Sequence, residues 1–245
     1  MRLAVISDIH ANLPALETVL ADIQGRSVDA TVNLGDCVAG PLWPRETWDL
    51  LTSLGLPTVR GNHDRYLNDR PLDRQPAVDR FAHPTLTETQ RQELFDLPAT
   101  IDLEGNVLAV HGTPGSDSTY LTEEVLSGRM APASRELLTE RLGAAMNRAV
   151  VLCGHSHRQS VTQVAGGPLV LNPGTVGCPV FADAPEASGL EFRSPHARYA
   201  ILTLRNGRWG AELFALEYDW DRAACQASAN GFENWARALA LGAVV

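Results

Sequence analysis

The chain has 245 residues, 44% of them hydrophobic, enough for a substantial core, and is read as one domain spanning residues 1–245. Acidic residues outnumber basic ones 29 to 20, a formal charge of -9, and no six-residue basic cluster occurs, so duplex nucleic acid is disfavoured as a partner. No run of eighteen apolar residues and no charged-then-apolar leader is seen, which predicts a soluble, cytoplasmic protein without a membrane partner.

Arg2 to Ser7 reads as a short strand, and a helical pattern from Leu13 follows through Leu16, Val19, Leu20 and Ile23, with Pro14 suited to a first helical turn. Ala30 to Leu34 predicts a second strand, Gly35 to Pro41 a loop, and Trp48, Leu51 and Leu54 a second helix. Thr58 to Val59 reads as a third strand. Strands and helices in this alternation imply parallel crossovers, whose ligands bind at the carboxyl ends of the strands. Arg65 to Pro84, charged and with three prolines, reads as a surface excursion. A helix is expected over Glu88 to Phe95, and a hairpin from Ile101 to Leu103 and Val107 to Val110 around Glu104-Gly105-Asn106. Short helical stretches are expected at Tyr120 to Leu126 and Ser134 to Leu142. Further strands are expected at Ala149 to Cys153, Ser160 to Val164, Leu169 to Leu171, Tyr199 to Leu204 and Ala211 to Leu216, before a closing helix from Asp221 to Leu239. The widely spaced Cys37, Cys153, Cys178 and Cys225 form no Cys-x-x-Cys pair and read as core residues. All 20 basic residues are arginine, which removes lysine from every catalytic role.

Polar residues able to bind metal interrupt this pattern just after strands: Asp8-Ile9-His10, Gly35-Asp36, Gly61-Asn62-His63-Asp64, His111-Gly112 and Gly154-His155-Ser156-His157. Five of the seven histidines occupy these positions. Each block has an ordinary explanation on its own, as a turn or a strand end. Five such accidents along one sheet edge would bury clusters of ionisable groups without reward, so the joint pattern points to a site. Alternate residues of an extended segment share a face, so Asp8 with His10, and His155 with His157, either pair on one ion or divide between neighbours. Oxygen and imidazole donors suit Mn, Fe, Co, Ni or Zn rather than calcium. Asp36, central in chain order, is the natural bridge. Two such cations roughly 3.5 to 4 Å apart activate water and stabilise an in-line displacement at phosphorus.

This ordered set resembles the calcineurin-like metallophosphoesterase superfamily, in its small bacterial branch related to diadenosine tetraphosphatases and Ser/Thr phosphatases, as does the opening Ser7-Asp8-Ile9-His10-Ala11-Asn12-Leu13. The resemblance implies an α/β, four-layer αββα sandwich of two mixed sheets with a dimetal site at the sheet edge. It implies Asp8, His10, Asp36 and His157 on one metal, and Asp36, Asn62, His111 and His155 on the other. Manganese comes first among the metals, with Fe, Ni, Co or Zn as alternatives. His63 would act on the leaving oxygen opposite a bridging hydroxide. Asp64 is expected to support the loop or the histidine tautomer, with turn capping as its simpler role. Gly61 is expected to supply a sharp backbone turn.

The implied activity is hydrolysis of a small phosphomonoester or phosphodiester, a nucleotide included. Symmetrical dinucleoside polyphosphate hydrolysis and Ser/Thr protein phosphatase action are alternatives, and a non-catalytic metal-bound scaffold is a third. Gly35-Asp36-Cys37-Val38-Ala39-Gly40-Pro41 lacks both the aspartate and the arginine of the protein phosphatase segment Gly-Asp-x-Val-Asp-Arg-Gly, and lacks the arginine of the tetraphosphatase Val-Ala-Arg-Gly-Pro. Arg60 or Arg45 could replace the guanidinium, although an ion-pair or surface role is the default for each. His83 and His196 read as ordinary loop residues and Tyr120 as core. Asn172-Pro173-Gly174-Thr175-Val176-Gly177 is either a structural turn or a substrate contact.

Overall fold

The computed structural model describes residues 1–127, 129–179 and 194–243. In chain order the elements are β1 (Arg2–Ile6), α1 (Leu13–Gln24), β2 (Ala30–Asn33), α2 (Pro44–Leu54), α3 (Asn62–Asp69), α4 (Ala77–Ala82), α5 (Glu88–Asp96), β3 (Thr100–Leu103), β4 (Val107–Val110), β5 (Glu123–Leu126) and β6 (Arg129–Pro132). They continue as α6 (Arg135–Leu142), β7 (Val150–Leu152), β8 (Gln159–Gln163), β9 (Leu169–Pro173), β10 (Ala197–Arg205), β11 (Arg208–Leu216), α7 (Trp220–Ala229) and α8 (Glu233–Leu241).

The period-2 pattern of the strands builds two sheets and four layers. One sheet has the order β11-β10-β1-β2 and the other β3-β4-β7-β9-β8. Leu3, Val5, Val32, Ala200 and Leu202 of the first face Val107, Ala109, Val150, Leu152 and Leu171 of the second. The alternate residues Ala4, Ile6, Tyr199 and Ile201 point the other way, onto Leu16, Val19, Trp48 and Leu239 of the helices. On the far side Leu108, Val110, Val151 and Val170 pack on Leu138 and Leu142 of α6. Both sheets are mixed: β1 runs parallel to β2, and β4, β7 and β9 are mutually parallel. The carboxyl ends of these five strands open onto one edge, which is where parallel sheets place their ligands. No helix among the described residues is long and apolar enough to cross a membrane.

Several expected elements differ. Thr58 to Val59 forms only a single parallel bridge, Asn33 to Thr58, because the chain turns at once into α3. Tyr120 to Leu126 is no helix: Glu123–Leu126 pairs antiparallel with Arg129–Pro132, satisfying its backbone in a hairpin where so short a helix would leave most of its end groups unpaired. The closing helix breaks into two at Asn230-Gly231, where Gly231 takes a φ of 83°. The stretch from Arg65 to Pro84 is largely helical. The buried Gln75 amide donates to the carbonyls of Tyr66 (3.1 Å), Leu67 (3.4 Å) and Arg70 (3.0 Å), fastening α4 to the end of α3. Cys37, Cys153 and Cys178 are buried as expected, whereas Cys225 is exposed.

Leu152 is fully buried between the sheets. Leu152→Ala is expected to cost about 2 to 5 kcal/mol, read by urea unfolding of metal-free protein.

Candidate metal centre

Each proposed ligand sits within four residues of a strand or at the start of α3, and the loops draw them into one buried cluster. Asp8, His10, Asp36, His111 and His157 are all but inaccessible, and Asn62 and His155 nearly so. Asp8, His10, Asp36, His155 and His157 take φ values of 49° to 64°, the left-handed region that costs a non-glycine residue on the order of 1 to 3 kcal/mol. The expected extended geometry for Asp8 with His10 and for His155 with His157 is therefore replaced by left-handed kinks. Each kink aims its side chain inward rather than to alternate faces. The backbone holds them: Asp8 N–H donates to Gly35 O (2.9 Å), His10 N–H to Asp36 O (3.0 Å), and Gly177 N–H to Asp8 O (3.1 Å).

The imidazoles are locked from behind. His10 Nδ1 donates to Ala39 O (2.6 Å), His111 Nδ1 to Leu34 O (2.7 Å) and His157 Nδ1 to Cys178 O (2.9 Å). A carbonyl can only accept, so each Nδ1 carries its proton and the neutral ring presents a lone pair at Nε2. Those lone pairs converge on other acceptors. His10 Nε2 lies 3.2 Å from His157 Nε2, and His111 Nε2 lies 3.1 Å from Asn62 Oδ1 and 3.3 Å from Asp36 Oδ2. His157 Nε2 lies 3.2 Å from the buried Asp8 Oδ1. Each carboxylate thus commits one oxygen to the protein and aims the other inward. Asp8 Oδ2 accepts from Ser7 Oγ and His155 N–H, and Asp36 Oδ1 accepts from His63 N–H.

Donor atoms of Asp8, His10 and Asp36 lie within 4.8 Å of one another, as do those of Asp36, His111 and His155, so Asp36 belongs to both groups. Converging nitrogen and carboxylate acceptors fit divalent transition cations. Protons must otherwise balance the charge. Burial opposes charge on His111, but the Asp36 carboxylate outweighs it and pushes His111 up to about 9. Asp8 does the same for His157, holding it well above the usual range. Burial, assisted by the neighbouring rings, pulls His10 down to about 4 and His155 to about 3.

Asp64 has a different task from its partner in the motif. Its oxygens accept the N–H groups of Asp36 (2.9 Å), Cys37 (2.9 Å) and Gly61 (2.9 Å), so it organises two loops at once. Of the expected roles, loop support and turn capping are observed, the latter at Gly61, which caps α3. The histidine is held by Asp79, which sequence reasoning passed over: His63 Nδ1 lies 2.9 Å and 3.1 Å from its two carboxylate oxygens. Asp79 stands sixteen positions after His63 in a stretch without periodicity, and no local signal marks it. Gly61, with a φ of -81°, is needed for space and not for a left-handed turn, because a Cβ would overlap Asp36 N and Oδ1.

The segment from Asn172 to Gly177 is scaffolding. Asn172 Nδ2 donates to Gly154 O (2.8 Å) and Ser156 Oγ (3.0 Å), and Thr175 Oγ1 donates to Asp8 O (2.7 Å). Cys178 brings its sulfur within 4.8 Å of the His10 and His157 donors, a proximity its isolated place in the sequence did not signal. Tyr120, half-buried, stacks on His155 with centroids 4.7 Å apart. Arg65 grips Asp117 through Nε (2.7 Å) and Nη2 (2.8 Å), joining α3 to the loop after β4. Arg60 donates to Phe95 O (2.6 Å) and Arg45 is exposed on the first turn of α2. The His83 carbonyl accepts from Arg91, and His196 Nδ1 meets Ser194 Oγ.

The sequence profile described as the calcineurin-like phosphoesterase superfamily domain matches residues 1–195. A crystal structure of a metallophosphoesterase from Sphaerobacter thermophilus is 27% identical, covers 99% of this chain and 100% of that one, and superposes with a TM-score of 0.74. A hypothetical protein from Pyrococcus horikoshii OT3 shares the fold at 17% identity, covering 100% of this chain and 99% of that one, with a TM-score of 0.79. An uncharacterized protein of Methanocaldococcus jannaschii is 47% identical over 62 residues, which is 25% of this chain and only about a quarter (26%) of that protein's length.

Two predictions follow from this geometry. Asp64→Ala would strand three buried N–H groups and is expected to cost at least about 2 kcal/mol in metal-free protein, measured by urea unfolding. Because His111 and His157 hold protons near neutral pH, metal loading should release protons, and apparent affinity should weaken as pH falls from 8 to 6. Calorimetry in buffers of different ionisation enthalpy reads that release directly.

Proposed function

The chain belongs to the calcineurin-like phosphoesterase superfamily, and on that footing we propose that it is a dinuclear-metal-dependent hydrolase of small phosphomonoesters or phosphodiesters. The observation that carries the reading is the meeting of imidazole Nε2 atoms and carboxylate oxygens in one buried cluster. Asp8, His10, Asp36 and His157 would hold one cation, and Asp36, Asn62, His111 and His155 the other, with Asp36 shared. Two bound cations would supply an activated water and neutralise the charge of a phosphoryl group under displacement.

The remaining chemistry belongs to side chains that hold no metal. His63 N–H fixes Asp36 Oδ1 (3.0 Å), and the His63 ring stands 5.5 Å from that of His10, centroid to centroid. We assign His63 Nε2 as the proton donor to the leaving oxygen. Left-handed backbone at five of the cluster residues supports a preorganised site, since such strain persists only where the surroundings over-determine it.

The substrate is assigned as a small phosphorylated molecule, nucleotides included. Arg60 is committed to the end of α5 and Arg45 to the surface, so neither supports the phosphate grip of the protein phosphatases or of the dinucleoside tetraphosphatases. The formal charge of -9 argues against duplex nucleic acid.

Protein stripped by chelator and reloaded with Mn, Ni, Co or Zn is expected to hydrolyse p-nitrophenyl phosphate or bis-p-nitrophenyl phosphate. His63→Ala should keep its metal and lose about two to four orders of magnitude in turnover of an ester with a poor leaving group such as phenyl phosphate, and less on the p-nitrophenyl esters. Asp36→Asn should lower the occupancy of both metals by elemental analysis, and loss of one alone would remove the bridge assignment.

A further inference from the structure

We propose that Asp79 is the positioning residue for His63, holding its Nδ1 proton so that Nε2 serves as the acid toward the leaving oxygen. The proposal rests on the phosphoesterase reading above. Its basis is the contact itself, with both Asp79 oxygens within 3.1 Å of Nδ1 and the carboxylate fully buried. A carboxylate taken wholly out of water costs several kcal/mol unless it is paired and hydrogen-bonded, on the order of what one good ion pair returns. That cost makes an incidental contact a poor explanation.

The surrounding structure is arranged to deliver the carboxylate. Asp79 sits in α4, which would have no fixed place as a six-residue helix on its own. Gln75 ties its leading end to three carbonyls of α3 and the loop beyond it, and Arg91 of α5 ties the following turn by donating to His83 O (3.1 Å) and Leu86 O (2.7 Å). His63 lies on α3, so the two partners are locked by the helices that carry them. The T-shaped packing of Tyr66 on the His63 ring, with centroids 5.5 Å apart, restrains the ring plane as well.

A carboxylate on Nδ1 does two things. It fixes the tautomer, leaving Nε2 as the only ring nitrogen able to face a substrate, and it stabilises the imidazolium that must give up a proton. In the step, a water oxygen forms the new bond to phosphorus and its displaced proton goes to solvent. The bond from phosphorus to the ester oxygen breaks with its electron pair on that oxygen, which takes the Nε2 proton of His63. Neutral His63, still donating through Nδ1 to Asp79, is then reprotonated from water. The aspartate that the Gly-Asp-x-Val-Asp-Arg-Gly segment would have carried is missing from the loop after β2, and a carboxylate on the histidine comes instead from α4.

The test separates proton delivery from simple structural support. Phenyl phosphate, with a poor leaving group, needs the acid far more than p-nitrophenyl phosphate does. Asp79→Asn should retain its metal content and lose on the order of 10²-fold in kcat on phenyl phosphate, but less than about 10-fold on p-nitrophenyl phosphate. Added to His63→Ala, it should change neither rate further. Equal losses on both esters, or a further loss in the His63→Ala background, would overturn the assignment.

A second readout needs no turnover. In zinc-loaded, ¹⁵N-labelled wild-type protein, the His63 ring should show a protonated Nδ1, with that proton exchanging faster in Asp79→Asn. A His63 protonated at Nε2 alone would overturn the proposal even if the variant failed to fold. Wild-type protein that binds zinc and shows protonated Nδ1 but cleaves neither ester would support the pairing and count against the phosphoesterase reading.

Discussion

Acceptor atoms driven together out of water are the constraint on which the structure turns. His10, His111 and His157 each give their Nδ1 proton to a backbone carbonyl, and their Nε2 atoms then face one another or a carboxylate. In a buried pocket such an arrangement needs positive charge, as protons or as cations, and Coulomb interactions there are far stronger than at the surface. The locking carbonyls of Leu34, Ala39 and Cys178 come from loops at the same sheet edge, so the orientation of each ring is a property of the assembled sheets and not of its own segment.

The rest of the fold can be understood as the means of sustaining that arrangement. Five cluster residues hold left-handed backbone, a conformation that open chain would abandon. They keep it because the loops after β1 and β2 hydrogen-bond to each other, and the segment from Asn172 to Gly177 clamps them from the opposite sheet. Behind the loops stands an apolar interior of Leu3, Val5, Leu152 and Leu171 that fixes the spacing of the two sheets. The stability gathered in the core is thereby spent on strain at the edge.

Asp64 and Asp79 divide the work that one motif first suggested for Asp64 alone. Asp64 follows His63 directly, and its carboxylate turns back to collect three N–H groups of the neighbouring loops. It cannot also meet the imidazole, and the geometry gives that contact to Asp79. Burial beside Asp36 raises Asp64 to about 6, against the lowering by its bonds from Cys37 and Gly61. The same helices that bring Asp79 to His63 also carry Arg65 to Asp117, so α3 joins both the His63–Asp79 contact and the loop after β4.

The sequence by itself determined which residues form the cluster, because metal-binding side chains placed directly after strands can meet only at the shared edge of a parallel arrangement. It also determined most strands and the helices on either side, since their periodicity depends on local burial. It did not determine local backbone geometry at Asp8, His10, His155 and His157, where extended pairing was expected and left-handed kinks are found. It could not mark Asp79, whose role depends on the docking of a six-residue helix through Gln75, nor could it separate a hairpin from a helix at Glu123–Leu126. Those outcomes were decided by hydrogen bonds between segments distant in sequence. Such bonds have no periodic signature, and they exist only once the sheets have brought their partners together.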